Sequence, residues 1–147
     1  MISRVKIKIE SVIDNLDACG LPDGESEKST QYFDGIYRYS GEEARISYKE
    51  ENDGGASEAE ILVSFGSVTV RRHGAIESEL YFKEGESHNS IYSIPPYRFD
   101  AEVMARRVTV DLGMNGGKIN LVYNMKIGGA EKSAIMRIWI SKALNQA

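Results

Sequence analysis

Hydrophobic and polar residues alternate along most of this chain. Val5, Ile7, Ile9, Ser11 and Ile13 fall on one side of a period of two, with Lys6, Lys8 and Glu10 on the other. That is the strand period, with one face buried and one wet, as in an antiparallel sheet. The alternation returns at residues 30–40, where Phe33, Tyr37 and Tyr39 share a face and Gly35 between them predicts a bend or bulge. Further strands are predicted at 44–50, 59–65, 68–73, 78–82 and 88–94. Ile119, Leu121, Tyr123, Met125 and Ile127 make a clean inward face. In the last strand Ala134, Met136, Ile138 and Ile140 oppose Ile135, Arg137 and Trp139, which predicts cover on both sides. Residues 98–112 alternate weakly, which predicts a bulge and does not fix which face points inward.

Short turns separate these runs. Ser40-Gly41, Asn52-Asp53-Gly54-Gly55, Gly66-Ser67, Glu84-Gly85-Glu86, Pro95-Pro96, residues 113–117 and Gly128-Gly129 all carry turn chemistry. Residues 10–27 hold six acids and no Lys or Arg, broken by Gly20, Pro22 and Gly24, and predict a solvated acidic loop. No helix longer than a turn or two is predicted. About ten strands at turn spacings of about 8–12 residues predict an all-β chain. The expected architecture is a single domain over residues 1–147, an up-and-down antiparallel barrel of eight to ten strands.

Composition narrows the function more than the fold. The 147 residues are 41% hydrophobic and 27% charged, ordinary globular values. Eighteen basic against 22 acidic side chains leave a net charge of -4, which argues against a nucleic-acid partner. No run reaches the 18 apolar residues of a membrane helix, and the alternation after Val5 lacks the continuous apolar stretch of a signal peptide. Cys19 is the one cysteine, so no intramolecular disulfide forms, and acids around it suppress the thiolate. The expected address is the cytoplasm.

Catalytic and cofactor motifs are missing: no phosphate-binding glycine loop, no nucleophile elbow, no zinc-binding histidine or cysteine spacing. No catalytic residue, no metal ligand and no cofactor is implied. His73 and His88 lie on different predicted strands and read as surface or rim residues.

The candidate chemistry is ionic and aromatic. Alternation puts Arg72 on the same face as Val68 and Val70; if these face inward it points into the barrel, unless its place near the strand end lets it reach the rim. A buried guanidinium needs an internal carboxylate or an anionic ligand. Tyr37, Tyr48 and Tyr123 present apolar bodies with polar tips and can line a cavity, though such residues are also ordinary in strands. Arg137, between Ile135 and Trp139, raises the same question, with packing on Trp139 the favoured reading. Arg106-Arg107 reads as a solvated face.

Several of these pieces also carry a family resemblance. Gly35-Ile36-Tyr37, Ile46-Ser47-Tyr48-Lys49-Glu50 and Val68-Thr69-Val70-Arg71-Arg72-His73-Gly74 come first. Phe82, Gly85 and Tyr92 follow, then Gly117-Lys118-Ile119-Asn120-Leu121-Val122-Tyr123. In that order and spacing they resemble the bacterial YwiB-like family, small proteins of unknown function. The resemblance implies a calycin, lipocalin-like β-barrel and a cytoplasmic protein, with no catalytic residues to carry over. Pro96-Tyr97 stands where relatives tend to have an aromatic-Gly pair.

Two functional expectations follow. In the first, a non-enzymatic protein binds a small apolar or anionic molecule in the barrel through Arg72, Tyr37, Tyr48, Tyr123 and Arg137. In the second, side chains fill the barrel, and its surface serves a non-catalytic interaction, as in a homodimer. Neither involves a membrane.

Overall fold

The structure is a computed structural model describing residues 2–52, 55–64 and 66–143. The alternating runs form ten strands in chain order. They are β1 (Ile2–Leu16), β2 (Pro22–Tyr39), β3 (Glu43–Asn52), β4 (Gly55–Ser64), β5 (Ser67–Gly74), β6 (Glu77–Lys83), β7 (Ser87–Ile94), β8 (Tyr97–Gly113), β9 (Gly116–Ile127) and β10 (Ala130–Lys142). Each pairs antiparallel with its chain neighbours, and β1 closes on β10 to complete a barrel. The all-β meander and the strand number read from the sequence are those observed. Asp53 and Gly54 of one expected turn, Phe65 at the end of another expected strand and residues 144–147 lie outside the described residues. Among the described residues no helix is long and apolar enough to cross a membrane.

The inward faces build one core. Val5 and Ile7 meet Tyr37, Ile46, Ile61, Val68, Val70, Phe82, Val103, Ile119, Leu121 and Ile138, all essentially inaccessible to water. Phe82 packs edge-on to Tyr123 with ring centroids 4.8 Å apart. This part of the barrel is filled by side chains, as expected where strand twist and tilt leave a narrow interior.

Two elements differ from the sequence expectation or settle it. The stretch expected to be an acidic loop is instead the long hairpin of β1 and β2, turning at residues 17–21. The Asp17 carboxylate accepts the N–H groups of Cys19 at 2.8 Å and Leu21 at 3.0 Å, and Gly20 takes a positive φ of 79°. The pattern misleads because β2 meets β3 only from Gly35 onward. Residues 22–34 of β2 therefore have β1 alone beside them, and much of that stretch lies open to water. With little core to cover, no apolar alternation is required there.

The second element is β8, whose register shifts between Ala105 and Arg107. Before the shift Ala101, Val103 and Ala105 face inward. After it Val108, Val110 and Leu112 take over against the core. One extra residue exchanges the two faces, which is why no single alternation runs through the strand.

Gly35 sits where β1, β2 and β3 approach closely. A Cβ there would lie 2.5 Å from the Ser47 carbonyl oxygen and 2.6 Å from Ile7 Cδ1. Backbone cannot swing aside as a side-chain tip can. Gly35→Ala is expected to destabilise the fold by about 1–3 kcal/mol, the usual cost of overpacking. Urea unfolding checks this, and an unchanged midpoint would contradict the close approach.

Candidate functional site

One row of inward positions turns polar. In register across five seams run Tyr92 on β7, Ser78 on β6, Arg72 on β5, Ala59 on β4, Tyr48 on β3 and Gly35 on β2. Strand alternation carries Arg72 inward after Val68 and Val70, as the sequence predicts. The next inward position on β3 after Tyr48 is Glu50, which is buried. Arg72 Nε donates to Glu50 Oε1 at 3.1 Å, with the two side chains only 16% and 10% exposed. Ser57, in register with Glu50, accepts the Ile76 N–H at 2.9 Å.

Burial works against the Arg72 charge, but Tyr48, Glu50 and Tyr92 outweigh it and raise its pKa. Burial pushes the Tyr48 phenol up to about 12, against the opposing pull of Arg72. Burial likewise raises the Tyr123 phenol, again with Arg72 pulling the other way. Two buried hydroxyls in this row, Tyr48 Oη and Ser78 Oγ, have no hydrogen-bond partner among the described residues. Such groups carry a desolvation cost with no compensating bond. Of the five N–H donors on a guanidinium, the Arg72 bond to Glu50 uses the one on Nε.

The row is reached from outside where β6 and β7 part. These strands pair at only two positions, Glu77 with Ser93 and Ser78 with Tyr92. A groove of about 1270 Å³ lies along this seam, with Arg72, Ser78, Ser90 and Ala101 among its walls. The turn joining β6 to β7 bonds instead to β8, through Gly85 N–H to the Ala105 carbonyl at 2.8 Å.

The five sequence candidates separate. Arg72, Tyr48 and Tyr123 come together. Tyr37 lies deep in the apolar part, where its hydroxyl donates to the Gly113 carbonyl at 2.8 Å. Arg137 points out of the barrel and bonds Glu10 at 3.3 Å. The cations on the face of Trp139 are Lys8 and Lys118, with Nζ 4.9 and 5.2 Å from the ring centre, so the expected Arg137 packing on that ring is replaced by a lysine pair. Glu50 and Ser78 were missed as site residues. The signal for Glu50 was an acid in phase with Ala44, Ile46 and Tyr48; Ser78 has no comparable mark. His73 and His88 bond Glu77 and Glu86 at the surface. Among the described residues no group of three His, Cys, Asp or Glu side chains is placed to hold a metal.

The ion pair makes a testable demand on stability. Glu50→Ala leaves the buried Arg72 charge alone and is expected to cost about 3 kcal/mol, while Arg72→Met with Glu50→Leu recovers most of that. Chemical denaturation of the single and double variants checks both. Tyr48 adds a pH signature. Its folded pKa of about 12 exceeds the ordinary 10.0, so between those values the unfolded chain releases the proton first. Stability from this group is complete below about pH 10 and falls by about 2–3 kcal/mol as pH rises to about 12. Tyr48→Phe is expected to flatten that fall and to cost little at neutral pH, since no hydrogen bond is lost.

Comparison with known proteins agrees with the fold. The family model described as a domain of unknown function (DUF1934) matches residues 7–138. The uncharacterized beta-barrel protein YwiB of Bacillus subtilis (strain 168) is 26% identical over 128 residues, covering 87% of this chain and 85% of that protein. The crystal structure of the YwiB protein from Bacillus subtilis superposes with a TM-score of 0.84 at 24% identity, covering 97% of this chain and 94% of that one. The fold is thus shared over nearly the whole chain, and the chain belongs to the DUF1934 family of β-barrel proteins of unknown function.

Proposed function

We propose that this protein binds a small, partly apolar carboxylate at the Arg72 end of its barrel, without catalysing a reaction. The observation that carries the reading is the polar row itself. A guanidinium whose one hydrogen bond among the described residues is to Glu50 stands in register between two buried hydroxyls without partners among those residues, beside a seam open to the outside. A carboxylate satisfies such groups together, and the Phe33 ring, 4.5 Å from that of Tyr48, offers an apolar neighbour. Because the rest of the interior is packed, the ligand is small and sits near the mouth rather than along the axis. The closed meander is also the architecture of lipocalin-like binding barrels, an analogy of fold alone. The exposed, unpaired Cys19 suits a cytoplasmic setting.

One observation favours a second reading. The packed apolar half leaves little interior to use, which suits a filled barrel whose surface serves a partner or a second copy. Native mass spectrometry of the chain purified gently from its own host separates the two. The binding reading expects a reproducible added mass, released on denaturation, whose affinity falls about tenfold in Tyr48→Phe and is lost in the Arg72→Met, Glu50→Leu pair. A bare chain that binds no member of a small-carboxylate panel, with Tyr48→Phe indistinguishable from wild type, would replace it with the filled-barrel reading.

A further inference from the structure

The outer face of the barrel carries a second arrangement that the Arg72 site does not use. Across β2, β1, β10 and β9 the register places Tyr32, Lys8, Trp139 and Lys118 side by side. Tyr32 is 72% exposed, and neither it nor Trp139 stacks on another aromatic ring among the described residues. A cleft of about 430 Å³ has both rings among its walls, together with Lys6, Lys8, Asp34 and Ser141. Lys6 is engaged by Asp34. Lys8 and Lys118 hold the Trp139 ring from its two neighbouring strands. Among the described residues neither ammonium lies within ion-pair distance of a carboxylate.

The strand spacing leaves width for a flat guest once the Lys8 side chain moves aside. Tyr32 and Trp139 are two strands apart, which sets their backbones about 9–10 Å from each other. A planar ring between two aromatic faces needs about 7–8 Å, twice a carbon–carbon contact. Lys8 rises from the strand between them, so a ring entering the cleft displaces its ammonium from Trp139 toward any anionic group the guest carries. Overall charge selects against a long polyanion, because the chain is -4, and leaves room for a guest with one phosphate.

We propose that this cleft binds a nucleoside monophosphate or a molecule of like chemistry. Its base stacks between Tyr32 and Trp139, its phosphate sits on Lys8, and Lys118 holds the Trp139 ring from the far side. The site lies on the outer face of the barrel and includes neither Arg72 nor Glu50.

Trp139 is the single tryptophan, so its fluorescence reports on this cleft alone. The full chain is titrated with AMP, with adenosine and with inorganic phosphate, exciting where only tryptophan absorbs. Expected are a saturable quench with AMP that weakens as salt is added, a weaker saturable quench with adenosine, and none with phosphate. Tyr32→Ala, at an exposed position, is expected to weaken AMP binding about tenfold, the effect of losing one base–aromatic stack, with its melting temperature unchanged. Lys8→Ala is expected to abolish the preference for AMP over adenosine while keeping the ring quench. Arg72→Met with Glu50→Leu is expected to leave AMP binding as in wild type. No saturation by AMP at millimolar concentration, or a Tyr32→Ala variant that binds as wild type does, would overturn the proposal.

Discussion

Closure of β1 on β10 is the constraint on which the molecule depends. Eleven consecutive residue pairs, from Val5 with Lys142 to Asn15 with Lys132, join the two ends of the chain. Until that seam forms, Val5, Ile7, Ile138 and Ile140 lie on open sheet edges and the alternating faces of the other strands enclose nothing. Once it forms, the apolar faces look into one space, and the long edge left open is residues 22–34 of β2, where Asp23, Glu27 and Asp34 make a poor template for another strand. The entropy of closing so long a loop grows only slowly with its length, so the burial gained along the seam can offset it.

The polar row is a consequence of the same closure. A guanidinium in phase with Val68 and Val70 is carried inward whether or not the interior suits it. Glu50 makes that tolerable, and Glu50 reaches Arg72 because β3, β4 and β5 lock together in a fixed register. An ion pair of this kind adds little stability compared with a well-packed apolar replacement. Its presence beside two hydroxyls without partners among the described residues is what the binding proposal rests on.

Most of the architecture was legible because it rests on local facts: period-two alternation, and glycine, proline and asparagine between the runs. Arg72 could be oriented for the same reason. What stayed hidden depends on pairing between distant segments. Residues 22–27 lack apolar alternation because β2 runs past β3 there, and sequence alone does not show where a neighbour stops. β8 could not be phased because its bulge exchanges the two faces midway. Ser78 carries no mark of its own, and its place beside Arg72 follows only from the β5–β6 register. Arg137 was misplaced for a related reason: proximity along β10 suggested Trp139, whereas the neighbours across the strands gave it Glu10 and gave the ring two lysines.

The short pairing of β6 with β7 gives the ring a clasp. A circle of ten strands that parts at one place keeps its nine other seams and becomes a curled ribbon, still one cooperative sheet. Two register pairs join the strands there, and the turn beyond them fastens to β8 instead, Gly85 donating to Ala105 and Ala105 donating to Glu86. The ring is thus buckled at that place by a few backbone bonds, where most of its other seams are sewn along their length.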